Sequence, residues 1–314
     1  MTRAVPGRSA ARARQVALTG GSGFIGRHLI HALSAAGARP RVLLRRPERV
    51  TLPAGAEAVA GSLADDEALA RLTRGADIVI HAAGAVRGAS RADFMSINRD
   101  GTARLLAHCR RAGAPDFIFL SSLAAREPTL SAYAASKAAA EQCLRDTDYP
   151  GAWQIVRPPA VYGPGDRELH PLFDWWRRGI GVRPAGRVGR LSLLHVTDLA
   201  RLCVALTRTR SQFTLCEPDD GSGGYDWDDL LAIAAAVFAR PIRPFAIPRS
   251  AAAVAARLNL AWAHLSRRPP MLTPGKLNEL WHDDWVARQP PPADLWQPAI
   301  GLAAGLATLY PEIG

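Results

Sequence analysis

The sequence predicts an α/β fold: a doubly wound parallel sheet with a smaller C-terminal substrate-binding unit. Three observations carry this. Short apolar runs at Val16–Leu18, Arg41–Leu44, Ala58–Leu63, Asp77–His81 and Asp116–Leu120 alternate with segments of helical periodicity, the signature of parallel strands joined by crossover helices. The first run enters a glycine turn, Gly20-Gly21-Ser22-Gly23-Phe24-Ile25-Gly26, and leaves it as a helix. Beyond about Pro159 the alternation loosens, so the rest of the chain is expected to build a smaller unit over the sheet edge.

The glycine turn is the centre of the arrangement. Ile25, Leu29 and Leu33 recur every four residues and predict one buried helical stripe after it. Strand, glycine turn and helix together bring backbone N–H groups and the positive end of a helix dipole to a pyrophosphate. Both Gly20-x-x-Gly23-x-x-Gly26 and Gly21-x-Gly23-x-x-Gly26 are present, so the spacing leaves the subclass open. A glycine-rich turn without ligand is the plainer alternative.

The second strand ends in Leu44 and is followed by Arg45 and Arg46. At this strand end an acid would suit NAD, whereas a basic fork suits the 2′-phosphate of NADP. The pair therefore points to NADP, with NAD as the alternative if both arginines are only solvated. The third run ends in Gly61-Ser62-Leu63, and acids at Asp65, Asp66 and Glu67 open the next helix. The fourth strand ends in Ala82-Ala83-Gly84, small residues that leave room for a ligand across the sheet edge. Asp93–Arg111 reads as one long helix carrying Asn98, and the fifth strand ends in Ser121-Ser122.

Tyr133 and Lys137 follow in an alanine-rich helical segment, one turn apart on one face. A nearby ammonium is expected to depress the phenol's pKa and make it a usable acid or base. A strand-end serine hydroxyl could hold a substrate oxygen beside it.

With these motifs in order, the chain resembles the extended short-chain dehydrogenases/reductases, which include nucleotide-sugar epimerases and dehydratases and 3β-hydroxysteroid-type dehydrogenases. The resemblance covers about residues 15–205 closely and implies the Rossmann form of the doubly wound fold. It implies cofactor contacts at Gly20, Ser22, Gly23, Phe24, Ile25 and Gly26, at Ala82, Ala83 and Gly84, and at Pro158. It also implies Ser122 as catalytic serine, Tyr133 as acid/base, Lys137 as the ribose-binding lysine, and Asn98 as organiser of a proton-relay water. Ser62 and Leu63 stand at the adenine contact, Ser62 replacing the family's usual aspartate. Ten residues separate Ser122 from Tyr133, fewer than in nucleotide-sugar enzymes. Ala160 stands where those enzymes place a phosphate-binding asparagine, while Arg190 matches their diphosphate arginine. Leu123-Ala124 lacks the acidic pair of a 4,6-dehydratase. Trp296–Gly305 resembles the family's closing segment.

The chain has 314 residues, 48% of them hydrophobic, enough for a sizeable core. The expected division is a disordered basic leader (1–14), a dinucleotide-binding core (15–158) and a mainly substrate-binding remainder (159–314) from which about 190–205 returns to the core. A formal charge of +11 comes from dispersed arginines, which argues against specific nucleic-acid binding. No apolar run is long enough to span a membrane. Cys109, Cys143, Cys203 and Cys216 lack metal-ligand spacing, so no metal is expected and the thiols suit the cytoplasm. Leu172, Phe173, Trp175 and Trp176 either wall a substrate pocket or pack a core. His195 and Asp198 mark a strand-to-helix junction rather than a catalytic dyad. Arg249–Arg268 reads as a helix packed in the substrate unit, with a membrane surface as the less favoured alternative.

The expected activity is NADP(H)-dependent hydride transfer to or from a small hydroxyl or ketone substrate. The rivals are a nucleotide-sugar epimerase/dehydratase retaining NAD, and a non-catalytic NAD(P)-binding sensor or assembly subunit. The family often pairs into homodimers, here through the Asn98 and Tyr133 helices.

Overall fold

A computed structural model of the chain describes residues 12–88, 90–186, 189–209, 214–266 and 272–310. In the first half β1 (Gln15–Thr19), α1 (Phe24–Ala35), β2 (Arg39–Leu44), β3 (Glu57–Ala60), α2 (Asp66–Thr73) and β4 (Ile78–His81) follow in order. Then come α3 (Arg91–Phe94), α4 (Gly101–Arg111), β5 (Asp116–Leu120), α5 (Ala132–Asp146) and β6 (Trp153–Val156). The second half holds β7 (Ala160–Tyr162), α6 (His170–Arg177), β8 (Ile180–Pro184), β9 (Arg190–Leu191), β10 (Leu193–His195), α7 (Val196–Arg208) and β11 (Leu215–Cys216). It ends with α8 (Trp227–Val237), β12 (Arg243–Ile247), α9 (Arg249–Ser266), α10 (Pro274–Leu280), β13 (Asp284–Trp285) and α11 (Leu302–Leu309).

Seven parallel strands form the sheet in the order β11-β6-β5-β4-β1-β2-β3. The order reverses beside β1, between β2 and β4, and ligands of doubly wound sheets bind at such a switch point. Strand side chains alternate between two cores. Val16, Leu18, Ile78, Ile80, Ile118 and Leu120 face α1 and α7, where Leu29, Leu33, Leu199 and Leu206 cover them. Ala17, Val79, Phe117 and Phe119 face α2, α4 and α5, against Leu69, Leu72, Leu105 and Leu144. A third core joins Tyr162, Phe173 and Trp176 to Trp227, Leu231 and Leu306. Phe173 and Trp176 are therefore packing residues, whereas Trp175 is 45% exposed.

The structure departs from the sequence reading at several points. β3 stops at Ala60, because Gly61 takes φ +148° and leads Ser62 and Leu63 into the turn before α2. The long Asn98 helix is divided by a π-helical turn over Met95–Asp100, in which Gly101 N–H bonds Ser96 O. Arg12–Arg14, read as the end of the disordered leader, is held: Arg12 pairs with Asp77 at 3.6 Å and Arg14 bonds the Thr207 carbonyl. Residues 1–11 of that leader lie outside the described residues. The short strand β11 completes the sheet beside β6, a role too brief for periodicity to reveal.

Candidate active site

The glycine turn and the end of β4 meet closely. Gly20 has φ +79°, and a Cβ there would lie 2.6 Å from the Ala82 carbonyl carbon and the Ala83 nitrogen. A Cβ at Gly26 would lie 2.1 Å from Gly20 O, so only glycine lets α1 start this close to the strand. Gly23 is the N-cap of α1 and offers no side-chain acceptor. The first-turn amides of Phe24 and Ile25 are thus without a side-chain cap, in the arrangement that receives a pyrophosphate. Ser22 and Gly23 are exposed at the rim. Arg45 and Arg46 are both exposed at the end of β2, and among the described residues neither makes an ion pair. Ser62 Oγ accepts from Ala64 N at 3.2 Å, while Leu63 packs on Gly101.

A buried hydrogen-bonded chain ties the turn to the tyrosine helix. Thr19 Oγ1 lies 2.6 Å from His81 Nδ1 and accepts from Ala83 N at 3.1 Å. His81 Nε2 lies 2.9 Å from Thr102 Oγ1, which donates to the Asn98 carbonyl. Burial, with the Lys137 charge nearby, pulls the His81 pKa down to about 3, so the ring is neutral. Asn98 accepts from Ala85 N at 2.7 Å and donates to Ala85 O at 3.1 Å and to Ser136 Oγ at 2.8 Å. Ser136 in turn donates to Tyr133 O. The π turn explains the geometry: an extra residue in one turn brings Asn98 inward, where it locks the loop after β4 to α5. Its side-chain amide thus spends both donors and one acceptor site on positioning. Sequence reasoning missed His81, Thr102 and Ser136; each adjoins a motif, but only the fold links them.

Tyr133, Ser122 and Lys137 come together at the ends of β4 and β5. Lys137 Nζ donates to Leu120 O at 2.7 Å and lies 4.6 Å from the Phe119 ring centroid. A Cβ at Gly84 would meet Asn98 Oδ1 at 3.2 Å and Lys137 Nζ at 3.6 Å, so both groups converge on that glycine. Burial lowers the Lys137 pKa to about 8 against the opposing pull of Glu141. Tyr133 corrects the sequence expectation. Burial pushes its phenol up to about 12; a hydrogen bond from Ser122 opposes this, and the charges of Glu279 and Glu168 add to it. Dehydration is the largest cause, and the ammonium is turned toward Leu120 and Phe119. Ser122 also caps the turn Leu123–Arg126, accepting from Ala124 N at 3.2 Å. Leu123 N bonds Pro158 O at 2.9 Å, bringing Pro158 beside the serine.

Behind this cluster lies an ionic chain absent from the sequence reading. Glu141, fully buried one turn after Lys137, accepts from Ser121 Oγ at 2.5 Å, from Arg157 at 2.8 and 2.7 Å, and from Arg145 at 3.0 Å. Arg157 reaches Glu217 at 3.5 Å, and Arg126 reaches the same carboxylate at 3.7 Å. Over the site, Arg87 pairs with Glu168 at 2.6 Å and joins the loop after β4 to the segment before α6.

The remaining candidates are placed elsewhere. His195 N-caps α7 by accepting from Thr197 N, while Asp198 accepts from Ala299 N and Ile300 N at 2.9 and 2.8 Å. They hold a junction, as expected. Trp296 donates to Asp198 O at 3.1 Å, which docks the closing segment. Arg190 donates to Gly224 O at 2.6 Å. No group of three or more metal-ligating side chains occurs among the described residues, and their four cysteines are free thiols.

Glycine turn, switch point and serine–tyrosine–lysine cluster together define an NAD(P)-binding oxidoreductase of the doubly wound type. Residues 16–214 match the NAD dependent epimerase/dehydratase family, and the chain belongs to that family, within the extended short-chain dehydrogenase/reductase superfamily. It is 40% identical over 292 residues to a ceramide reductase of Caulobacter vibrioides, a match spanning 92% of this chain and 91% of that protein. A Stigmatella aurantiaca ketoreductase acting on a farnesyl dihydroquinoline oxide is 33% identical over 178 residues, 50% of this chain and 53% of that protein. Among solved structures, UDP-glucose 4-epimerase from Thermotoga maritima superposes with TM-score 0.73 at 18% identity, covering 94% of this chain and 96% of that one. At that identity the likeness concerns the fold.

Proposed function

We propose that the chain is an NADPH-dependent reductase acting on a ketone carried by a ceramide-type lipid. The observation that carries this reading is the Ser122–Tyr133 pair, a hydroxyl and a phenol side by side at the strand ends, and the reductive direction follows the reductase relatives. A neutral phenol is a proton donor, the role needed when a ketone oxygen gains negative charge. Ser122 would hold the ketone oxygen beside Tyr133, and Tyr133 would give it the proton. The glycine turn would hold the pyrophosphate, and Lys137 with the Asn98-braced loop the nicotinamide end. The bound cofactor supplies the hydride.

The lipid class is supported by near full-length similarity to ceramide reductase. Two features weigh against a nucleotide sugar: Ala160 has no phosphate-binding amide, and the Arg190 guanidinium bonds the Gly224 carbonyl. The free cysteines suit a reducing compartment, and we place the enzyme in the cytoplasm.

The test is a binding and turnover assay of the purified chain with NADPH, NADH and a long-chain keto-ceramide. Consumption of NADPH with formation of the alcohol is expected. Tightly retained NAD without net turnover would replace this reading by the epimerase. The Arg45→Ala variant should lose roughly tenfold or more in NADPH affinity, the worth of a charge-assisted pair, while NADH affinity stays within about twofold. Equal losses for both cofactors would remove Arg45 from the 2′-phosphate.

A further inference from the structure

In the N-terminal part of α9 two alanines face inward and two larger apolar side chains face outward. Ala252 and Ala256, 8% and 0% exposed, rest with Leu277 of α10. On the opposite side Val254 and Leu258, one turn apart, are 58% and 66% exposed. A helix that only served the protein's own core would turn its larger apolar residues inward. On β12, the strand that leads directly into α9, Phe245 is 62% exposed. That strand pairs with β8 alone, in a two-stranded ribbon outside the central sheet.

Charge distinguishes this surface from an ordinary apolar patch. No acid occurs in the sequence between Asp229 and Glu279. Arg243, Arg249 and Arg257 are exposed on the same two elements, and among the described residues Arg243 and Arg257 make no ion pair. Large apolar side chains flanked by unpaired arginines complement an anionic headgroup layer with acyl chains beneath it. The surface also adjoins the active site. Arg249 donates to Asn278 Oδ1 at 2.9 Å, and Asn278 donates to Leu130 O at 3.1 Å. On the same helix, Glu279 accepts from Ser131 Oγ, at the N-cap of the tyrosine helix. Thus α10 ties the outer surface to the Leu130–Ser131 segment that opens the tyrosine helix.

We infer that Phe245, Val254 and Leu258, with Arg243, Arg249 and Arg257, form a docking face for an anionic lipid bilayer. The attachment is peripheral, since no described helix is long and apolar enough to cross a membrane. Docking itself stands on exposure and charge; only its use in delivering a lipid substrate rests on the reductase reading.

The experiment is co-sedimentation of the full chain with vesicles of phosphatidylcholine, alone or mixed with phosphatidylglycerol. Sedimentation with the anionic vesicles is expected, weakening as salt is raised. A Phe245→Ser/Val254→Ser/Leu258→Ser variant should lose roughly tenfold or more in vesicle affinity while keeping its NADPH affinity, which shows that it folds. Arg243→Gln/Arg257→Gln should lose preferentially the response to phosphatidylglycerol. Wild-type binding by the triple variant, or no binding of wild type to anionic vesicles, would overturn the inference. So would a wild-type dimer that becomes monomeric in the triple variant, because the face would then join two copies. Tyr133→Phe should bind vesicles like wild type. If turnover fails while vesicle binding persists, only the reductase reading falls.

Discussion

Replacing Tyr133 with Phe is expected to lower kcat for ketone reduction by about 10²–10⁴-fold, the usual worth of a positioned general acid. The substitution removes one hydroxyl and leaves the ring in its edge contact with Phe94, 6.1 Å between centroids. The glycine turn, Lys137 and the Asn98 clamp are untouched, so NADPH affinity should stay within about twofold. Steady-state kinetics beside a fluorescence titration of NADPH separate the two effects. Turnover above about a tenth of wild type would mean that another group supplies the proton. A parallel loss of NADPH affinity would mean that the phenol positions the cofactor instead.

The second large effect concerns stability. Glu141→Ala should destabilise the fold by about 3–5 kcal/mol, because it removes the two-pronged partner of the half-buried Arg157 guanidinium, leaving it only the longer Glu217 contact, and frees Ser121 Oγ. For a chain of this size that corresponds to a fall in Tm of roughly 5–15 °C. The loss should depend on pH in a definite sense. Burial alone would raise the Glu141 pKa, but the hydrogen bond and charge of Arg157, with Ser121 and Arg145, outweigh it and leave the group below the ordinary carboxylate range. A carboxylate depressed in the folded state contributes fully above its unfolded pKa, and that contribution disappears as pH falls through the folded value. The gap between wild type and Glu141→Ala should therefore be widest near neutrality and narrow in acid. Thermal melts across that range that keep a constant gap would show the network to be mere packing. The same carboxylate touches the serine preceding Ser122 and the arginine preceding Pro158, so it also braces both strand ends at the active site.

Comparison of β5 with the helix before it shows how far local pattern reaches. Asp116–Leu120 was legible to the residue because a buried parallel strand is an apolar run with abrupt ends. The helix carrying Asn98 was legible only as a helix. Its π turn depends on Thr102 and Ser136 capturing the carbonyl and amide of Asn98, and Ser136 lies on a different helix. Tyr133 and Lys137 were legible from their spacing, but the direction of the tyrosine's pKa was not. Spacing places an ammonium one turn away without saying that it faces Leu120 and Phe119, and dehydration then governs the phenol.

By itself, then, the sequence determined the strand and helix order of the first half, the glycine turn, and the one-turn spacing of Tyr133 and Lys137. Each depends on neighbours within a few residues, where backbone geometry and hydrophobic period act directly. Tertiary structure alone decided the Thr19–His81–Thr102–Asn98 chain, the Glu141–Arg157–Glu217 network, and the inverted face of α9 with Val254 and Leu258 outward. Those features join residues distant in sequence through burial and charge, and a one-dimensional pattern does not reveal which polar groups share one dehydrated interior or which apolar face is left uncovered.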